Sequence, residues 1–169
     1  MSVVTVTYVA ASSSLVKTRA GKPDQAPGTT LRQKVKDLAA KHNATITAID
    51  ANNDSITCPS IGHQASVMED DELNTLPGVT LATTAVTQVT VSYTAAQSSL
   101  VKPRAGKPDA PPNTTLRQRV KDLAAKHNRS VVPVDGSTDV IPCTSLGMVA
   151  SIMEDDELNT LPGITLAAA

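Results

Sequence analysis

Two residue types able to do covalent chemistry occupy matched places in the two halves of this chain: His42 with His127, and Cys58 with Cys143. A thiolate beside an imidazole is a nucleophile with its base. No known local signature surrounds either cysteine, however. Each histidine falls at the end of an apolar stripe, where a partly buried or capping imidazole is ordinary. The acidic run "MEDDE" at Met68–Glu72 invites a metal reading. Adjacent carboxylates do not converge on one ion, and no His or Cys stands at ligand spacing. "DANND" at Asp50–Asp54 begins like a calcium loop, but Ser55 stands at its glycine position and Ile61 at its bidentate-acid position. The second half loses that pattern altogether. No phosphate-cradling GxxxxGK[ST] or GxGxxG motif occurs. These residues imply no catalytic residue, no metal and no cofactor, and the chain is expected not to be an enzyme.

The elements that would position such residues come in duplicate. Shifting the chain by 85 positions superposes Ser13–Asn43 on Ser98–Asn128 and Met68–Gly78 on Met153–Gly163. Of the 84 positions from Met1 to Thr84, 54 are identical to their counterparts, with no insertion or deletion. Two copies of this length are a duplicated domain, not a solenoid. The expected domains are 1–84 and 86–169, joined near Thr83–Thr87. A join without Gly, Pro or a charge run argues for domains packed against each other.

Composition narrows the partners. The net charge of -1 supplies no field toward nucleic acid or an anionic membrane. With no Phe or Trp, and only Tyr8 and Tyr93, base stacking is nearly excluded. No apolar run approaches the length of a membrane span, and the N-terminus lacks a signal-peptide pattern. One cysteine per repeat forbids a disulfide within a domain. The bland reading is two thiols in a cytoplasmic or other intracellular reducing compartment. Four Asn-x-Ser/Thr sequons, at Asn43, Asn53, Asn113 and Asn128, would matter only on a secreted chain.

Within one repeat, Val3–Ala10 alternates and predicts a strand. Leu15–Gly21 predicts a second strand, confined to an edge because Pro103 replaces Thr18 in the second copy. "KPDQAPG" at Lys22–Gly28 predicts a loop. Thr30-x-x-Gln33 has capping-box spacing, and Leu31, Val35, Leu38, Ala39 and His42 form a helical stripe that Asn43 closes. Arg32, Lys34, Lys36 and Lys41 lie off that stripe, on a face expected to be solvated. Ala44–Asp50 and the "SIT" at Ser55–Thr57 predict a hairpin. "MEDDELNTL" predicts a short helical turn with carboxylates near its start. "PGVTLA" predicts a final strand.

This order resembles a β-grasp, or ubiquitin-like, domain. "VTVTYVAASSSLVKTRAGK" with "PGTTLRQKVKDLAAKHN", and "DDELNTLPGVTLA" near the end, carry the resemblance. It implies an α+β fold, one main helix per copy, and a first hairpin from Val3–Ala10 and Leu15–Gly21. The chain closes on "LAAA" and not Gly-Gly, so conjugation to targets is not expected. A second resemblance, carried by "LAAKHNATITAID" and "GHQASVMEDDELNTLPGVTLA", is to subtilisin-propeptide inhibitor domains. Gly62, Ala65 and Val67, with Gly147, Ala150 and Ile152, match that family's Gly-x-x-Ala-x-aliphatic run, read as a strand before an acidic helix. It implies a ferredoxin-like βαββαβ fold. His63 and Met148 stand where an aromatic is usual. About 20 residues separate first strand from helix, a gap that the β-grasp fills with a strand, so the β-grasp ranks first.

The leading functional expectation is a non-enzymatic adaptor or structural subunit made of two ubiquitin-like domains that bind protein partners. The stretch "LVK-RAGKPD" is polar and yet nearly invariant between copies. Lys17, Arg19 and Lys22, with Lys102, Arg104 and Lys107, are therefore candidate partner contacts. The alternative is a tandem inhibitor of subtilisin-like serine proteases, in which Leu166, Ala167, Ala168 and Ala169 would enter the protease cleft.

Overall fold

The computed structural model describes residues 1–23 and 25–169; Asp24, in the predicted Lys22–Gly28 loop, lies outside the described residues. The chain divides into two compact units, Met1–Thr84 and Ala85–Ala169, one per sequence repeat. The first unit runs β1 (Ser2–Tyr8), α1 (Leu31–Lys41), β2 (Thr45–Ala48), β3 (Asn53–Cys58), α2 (Ile61–Glu69), the single turn α3 (Asp71–Asn74) and β4 (Val79–Ala82). The second repeats this as β5 (Gln88–Tyr93), α4 (Leu116–Lys126), β6 (Val132–Pro133), β7 (Thr138–Pro142), α5 (Leu146–Met153), α6 (Asp156–Asn159) and β8 (Ile164–Ala168). Each unit is α+β, with one four-stranded antiparallel sheet in the order β2-β3-β1-β4 or β6-β7-β5-β8.

Two expectations are corrected here. Leu15–Gly21 does not pair with β1; it contributes one isolated bridge, Leu15 to Thr30, matched by Leu100 to Thr115. β1 instead lies between β3 and β4, antiparallel to both, so the first hairpin of the β-grasp arrangement is not formed. Each unit also has a second full helix, α2 or α5, where the β-grasp reading placed no element and the propeptide resemblance implied a strand. The observed element order is βαββαβ, with a short helical turn before the last strand.

The physical reason lies in where the backbone groups of Ala11–Val16 are used. The first N–H groups of a helix have no intrahelical acceptor. Here Leu31 N–H donates to Ser14 C=O at 2.8 Å and Arg32 N–H to Ser12 C=O at 3.0 Å. Thr30 Oγ1 accepts from Gln33 N–H at 3.2 Å. Only that half of the capping box forms, because the Gln33 amide turns to Asp37. The segment is a strap that caps α1, and its carbonyls are unavailable to a sheet. Ser99 and Gln97 do the same for α4.

The rest follows the sequence pattern. Val4, Val6 and Tyr8 point to the helices from β1, Ile56 and Cys58 from β3. They meet Leu31, Val35, Leu38 and Ala39 of α1, Val67 of α2, and Leu73 and Leu76 beyond it. Asn43 and Asn128 end the main helices at φ 52° and 55°, the left-handed cap expected of them. Gly78 sits at φ 85°, where a Cβ would meet Ala10 Cβ at 3.0 Å and Leu31 Cδ1 at 3.1 Å. Only glycine permits both that conformation and that approach.

Candidate functional site

The six predicted partner-contact cations divide into two kinds. The Arg19 guanidinium donates to Thr75 C=O at 3.0 Å, Thr75 Oγ1 at 3.1 Å and Glu72 C=O at 3.1 Å. It thus caps the C-terminal carbonyls of α3. Arg104 reaches Thr160 Oγ1 and Glu157 C=O in the same way. Lys22 pairs with Asp71, and Lys107 with Asp156. These four residues tie the strap and the loop after it to α3 or α6, the arginine at the helix end and the lysine at its first residue. Lys17 and Lys102 are exposed, with no hydrogen-bond or ion-pair partner among the described residues.

The basic face expected to be solvated on α1 is partly folded in. Lys34 is 5% exposed and pairs with Glu72 at 2.8 Å; Lys41 reaches the other oxygen of Glu72. These lysines, Lys34 first, hold the Glu72 carboxyl below the usual carboxylate range. Arg32 reaches across to Asp54, which is fully buried, with contacts of 3.0 and 2.8 Å. Tyr8 donates its hydroxyl to the same carboxylate at 2.7 Å. Burial, with help from the neighbouring carboxylate, pushes the Tyr8 pKa upward. Tyr93, Asp139 and Arg117 rebuild the cluster in the second unit. Sequence patterning missed it, although Arg32, Asp54 and Tyr8 each have an identical counterpart.

The residues with chemical potential have structural roles. His42 Nε2 lies 2.7 Å from Asp70 Oδ2 and ties the end of α1 to the start of α3. Asp70 also accepts from Leu73 N–H as N-cap. Burial would raise its pKa; the bonds from His42 and Leu73 outweigh that and hold it low. His127 and Asp155 repeat the pair at 2.8 Å. Cys58 and Cys143 are free and buried, and burial raises both thiol pKa values, which makes them poor nucleophiles. Asp50 Oδ1 accepts from the N–H groups of Asn52 and Asn53 at 2.7 Å each, so "DANND" is a turn closed on itself. Among the described residues no group of three His, Cys, Asp or Glu side chains could hold a metal ion, and no helix is long and apolar enough to cross a membrane.

The outer face of each sheet is not covered by the helices, and its residues range from exposed to half-buried. Strand alternation places Val3, Thr5 and Thr7 of β1 there, opposite Thr57, Ser55 and Asn53 of β3. Thr80 and Ala82 of β4 extend it. In the second unit Gln88, Thr90 and Ser92 face Pro142, Val140 and Thr138, flanked by Thr165 and Ala167. Neither set contains a charged residue. The predicted cleft residues Leu166, Ala167 and Ala168 lie within β8 and pair with Val89–Val91. Ala169 continues the ladder, its N–H donating to Gln88 C=O at 3.0 Å. Leu166–Ala169 is therefore an edge of the sheet and not a projecting tail. Compared with protein-family models and with curated proteins, the chain matches none.

Proposed function

We propose that the chain is a non-enzymatic, tandem protein-binding inhibitor directed at subtilisin-like serine proteases. The observation that carries this reading is the strand order β2-β3-β1-β4 with two helices on one face. It is the arrangement implied by the propeptide-inhibitor resemblance and not by the ubiquitin-like one. Two further features support it. The charge-free outer faces have the composition of an interface centre, where charged residues are depleted. In addition, β4 and β8 are edge strands. An edge strand has one row of main-chain groups open to an extended partner, and a protease cleft binds its substrate as an extended chain. The two buried, unpaired thiols fit an intracellular reducing compartment.

Titrating an active-site-calibrated subtilisin with the full chain tests the proposal. Stoichiometric loss of peptidase activity, with the inhibitor recovered intact, is the expected result. Rapid cleavage of the chain, or no loss of activity at equimolar protein, would overturn it. The sheet faces would then belong to the broader alternative, an adaptor that binds another class of protein.

A further inference from the structure

Each unit carries an apolar groove at the edge of its core, outside the surfaces that the inhibitor reading uses. In the first it encloses about 520 Å³ between the strap Ser14–Arg19 and the turn Leu76–Gly78, floored by Ala10 and Leu31. In the second it encloses about 430 Å³ between Ser99–Arg104 and Leu161–Gly163, floored by Ala95 and Leu116. Both volumes fall in the range of ligand sites.

The strap itself says what the groove takes. Most of its features shared by the two copies have internal duties. The Ser14 and Ser99 carbonyls cap helices. Arg19 and Arg104 cap α3 and α6. Two shared residues have no such duty. Leu15 and Leu100 are 61% and 57% exposed at the groove rim. Lys17 and Lys102 line the same grooves with uncommitted ammonium groups. An exposed leucine and a free cation contribute little to folding, yet both copies keep them.

We propose that each groove binds an extended peptide segment bearing an aliphatic side chain next to a carboxylate. The floor is aliphatic and without aromatic rings, so it accepts a branched aliphatic side chain. The one uncommitted charge at each rim is positive, so its complement is a carboxylate. Thr18 offers a backbone N–H that Pro103 lacks, so recognition common to both units works without that donor and rests on side chains. The exposed Leu15, Lys17 and Thr18 leave the groove open along the strap, which suits an extended chain better than an enclosed small molecule. The proposal goes beyond protease inhibition, since it uses neither the outer sheet faces nor Leu166–Ala169.

The test is a titration of fluorescein-labelled acetyl-Ala-Leu-Leu-Glu-Ala amide with the full chain, read by fluorescence anisotropy, with amide shifts to locate the site. Saturable binding at two sites per chain is expected, with shifts at Ser14–Arg19 and Leu76–Gly78 and their counterparts. Replacing the peptide's Glu by Gln should weaken binding roughly threefold, as an exposed ion pair would. Replacing both Leu by Ser should weaken it at least roughly tenfold. Lys17→Gln with Lys102→Gln should make the Glu and Gln peptides bind alike. Lys36→Gln with Lys121→Gln, on the exposed helix faces, should change nothing. Both pairs should leave any subtilisin inhibition intact, which separates this proposal from the previous one. No saturation, equal binding of the Glu and Gln peptides to the unmodified chain, or shifts confined elsewhere would overturn it. So would hexanoate competing as tightly as the peptide, or self-association that the Lys17 and Lys102 changes abolish; either assigns the groove to another occupant.

Discussion

In each unit the stretch Ser13–Asn43 and the hairpin that follows it are neighbours, yet the two have diverged differently since duplication. The first keeps nearly every residue in the second copy; the hairpin keeps few. The difference tracks internal obligation. Strap carbonyls cap a helix, Arg19 caps a second one, and α1 buries its stripe. Along β3 the residues kept are those that point inward; the other identity in the hairpin, the exposed Asp50, closes its turn as Asp135 does. Asp54, Ile56 and Cys58 recur as Asp139, Ile141 and Cys143, while Asn53, Ser55 and Thr57 become Thr138, Val140 and Pro142. A period of two in the identities is a period of two in burial. Leu15 and Lys17 at the strap rim, like Lys36 on the outer face of α1, break the rule, being kept although their side chains are exposed.

Substitutions can test that account. The largest effect should come from the kept side of the hairpin. Asp54→Ala strands Arg32 and Tyr8 around a fully buried site and should cost about 3 kcal/mol. Urea unfolding followed by circular dichroism should show one unit melting early; a loss below about 1 kcal/mol would break the comparison.

An intermediate effect is expected at Asp70, on the other retained stretch. Its folded pKa lies below the ordinary 3.8, so it stabilises the fold at higher pH, and that contribution is lost as pH falls through the lowered value. Asp70→Asn should cost about 1 kcal/mol at neutral pH through loss of the carboxylate that bonds His42 and Leu73 N–H, and should flatten the acid limb of stability against pH. Parallel acid limbs in the two proteins would exclude this role for the His42–Asp70 tie.

The smallest effect should come from the drifted side. Thr47→Val and Ser55→Val install the second copy's residues on the outer face and should each shift stability by no more than about 0.5 kcal/mol. A larger loss in the isolated chain would mean that the face has internal partners and is not a free surface.

Much of this was legible in the sequence. The duplication, β1, the main helix with its Thr30 cap and Asn43 terminator, the hairpin and the last strand all follow from local pattern. The second helix was not read. Gly62 and the β-branched Ile61 and Val67 weaken its helical signal, and its apolar spacing is short. A signal was present in Ser60 and Ser145, kept in both copies as N-caps for His63 and Met148 N–H. The strap was misread as a strand because alternation records which side chains could share a face, not which partner the backbone finds.

The candidate site divides along the same line. Residue types and their recurrence between copies singled out Lys17, Arg19 and Lys22, but not which of them were spent. Local physics, with its caps, periods and turn residues, determined from the sequence alone that there are two α+β units and where most elements lie. Only the tertiary structure decided that β1 sits between β3 and β4, that Arg32 crosses to Asp54, and that Lys17 stays free beside an apolar groove. Strand neighbours and ion-pair partners are fixed by long-range contacts between residues tens of positions apart, and no local pattern encodes those.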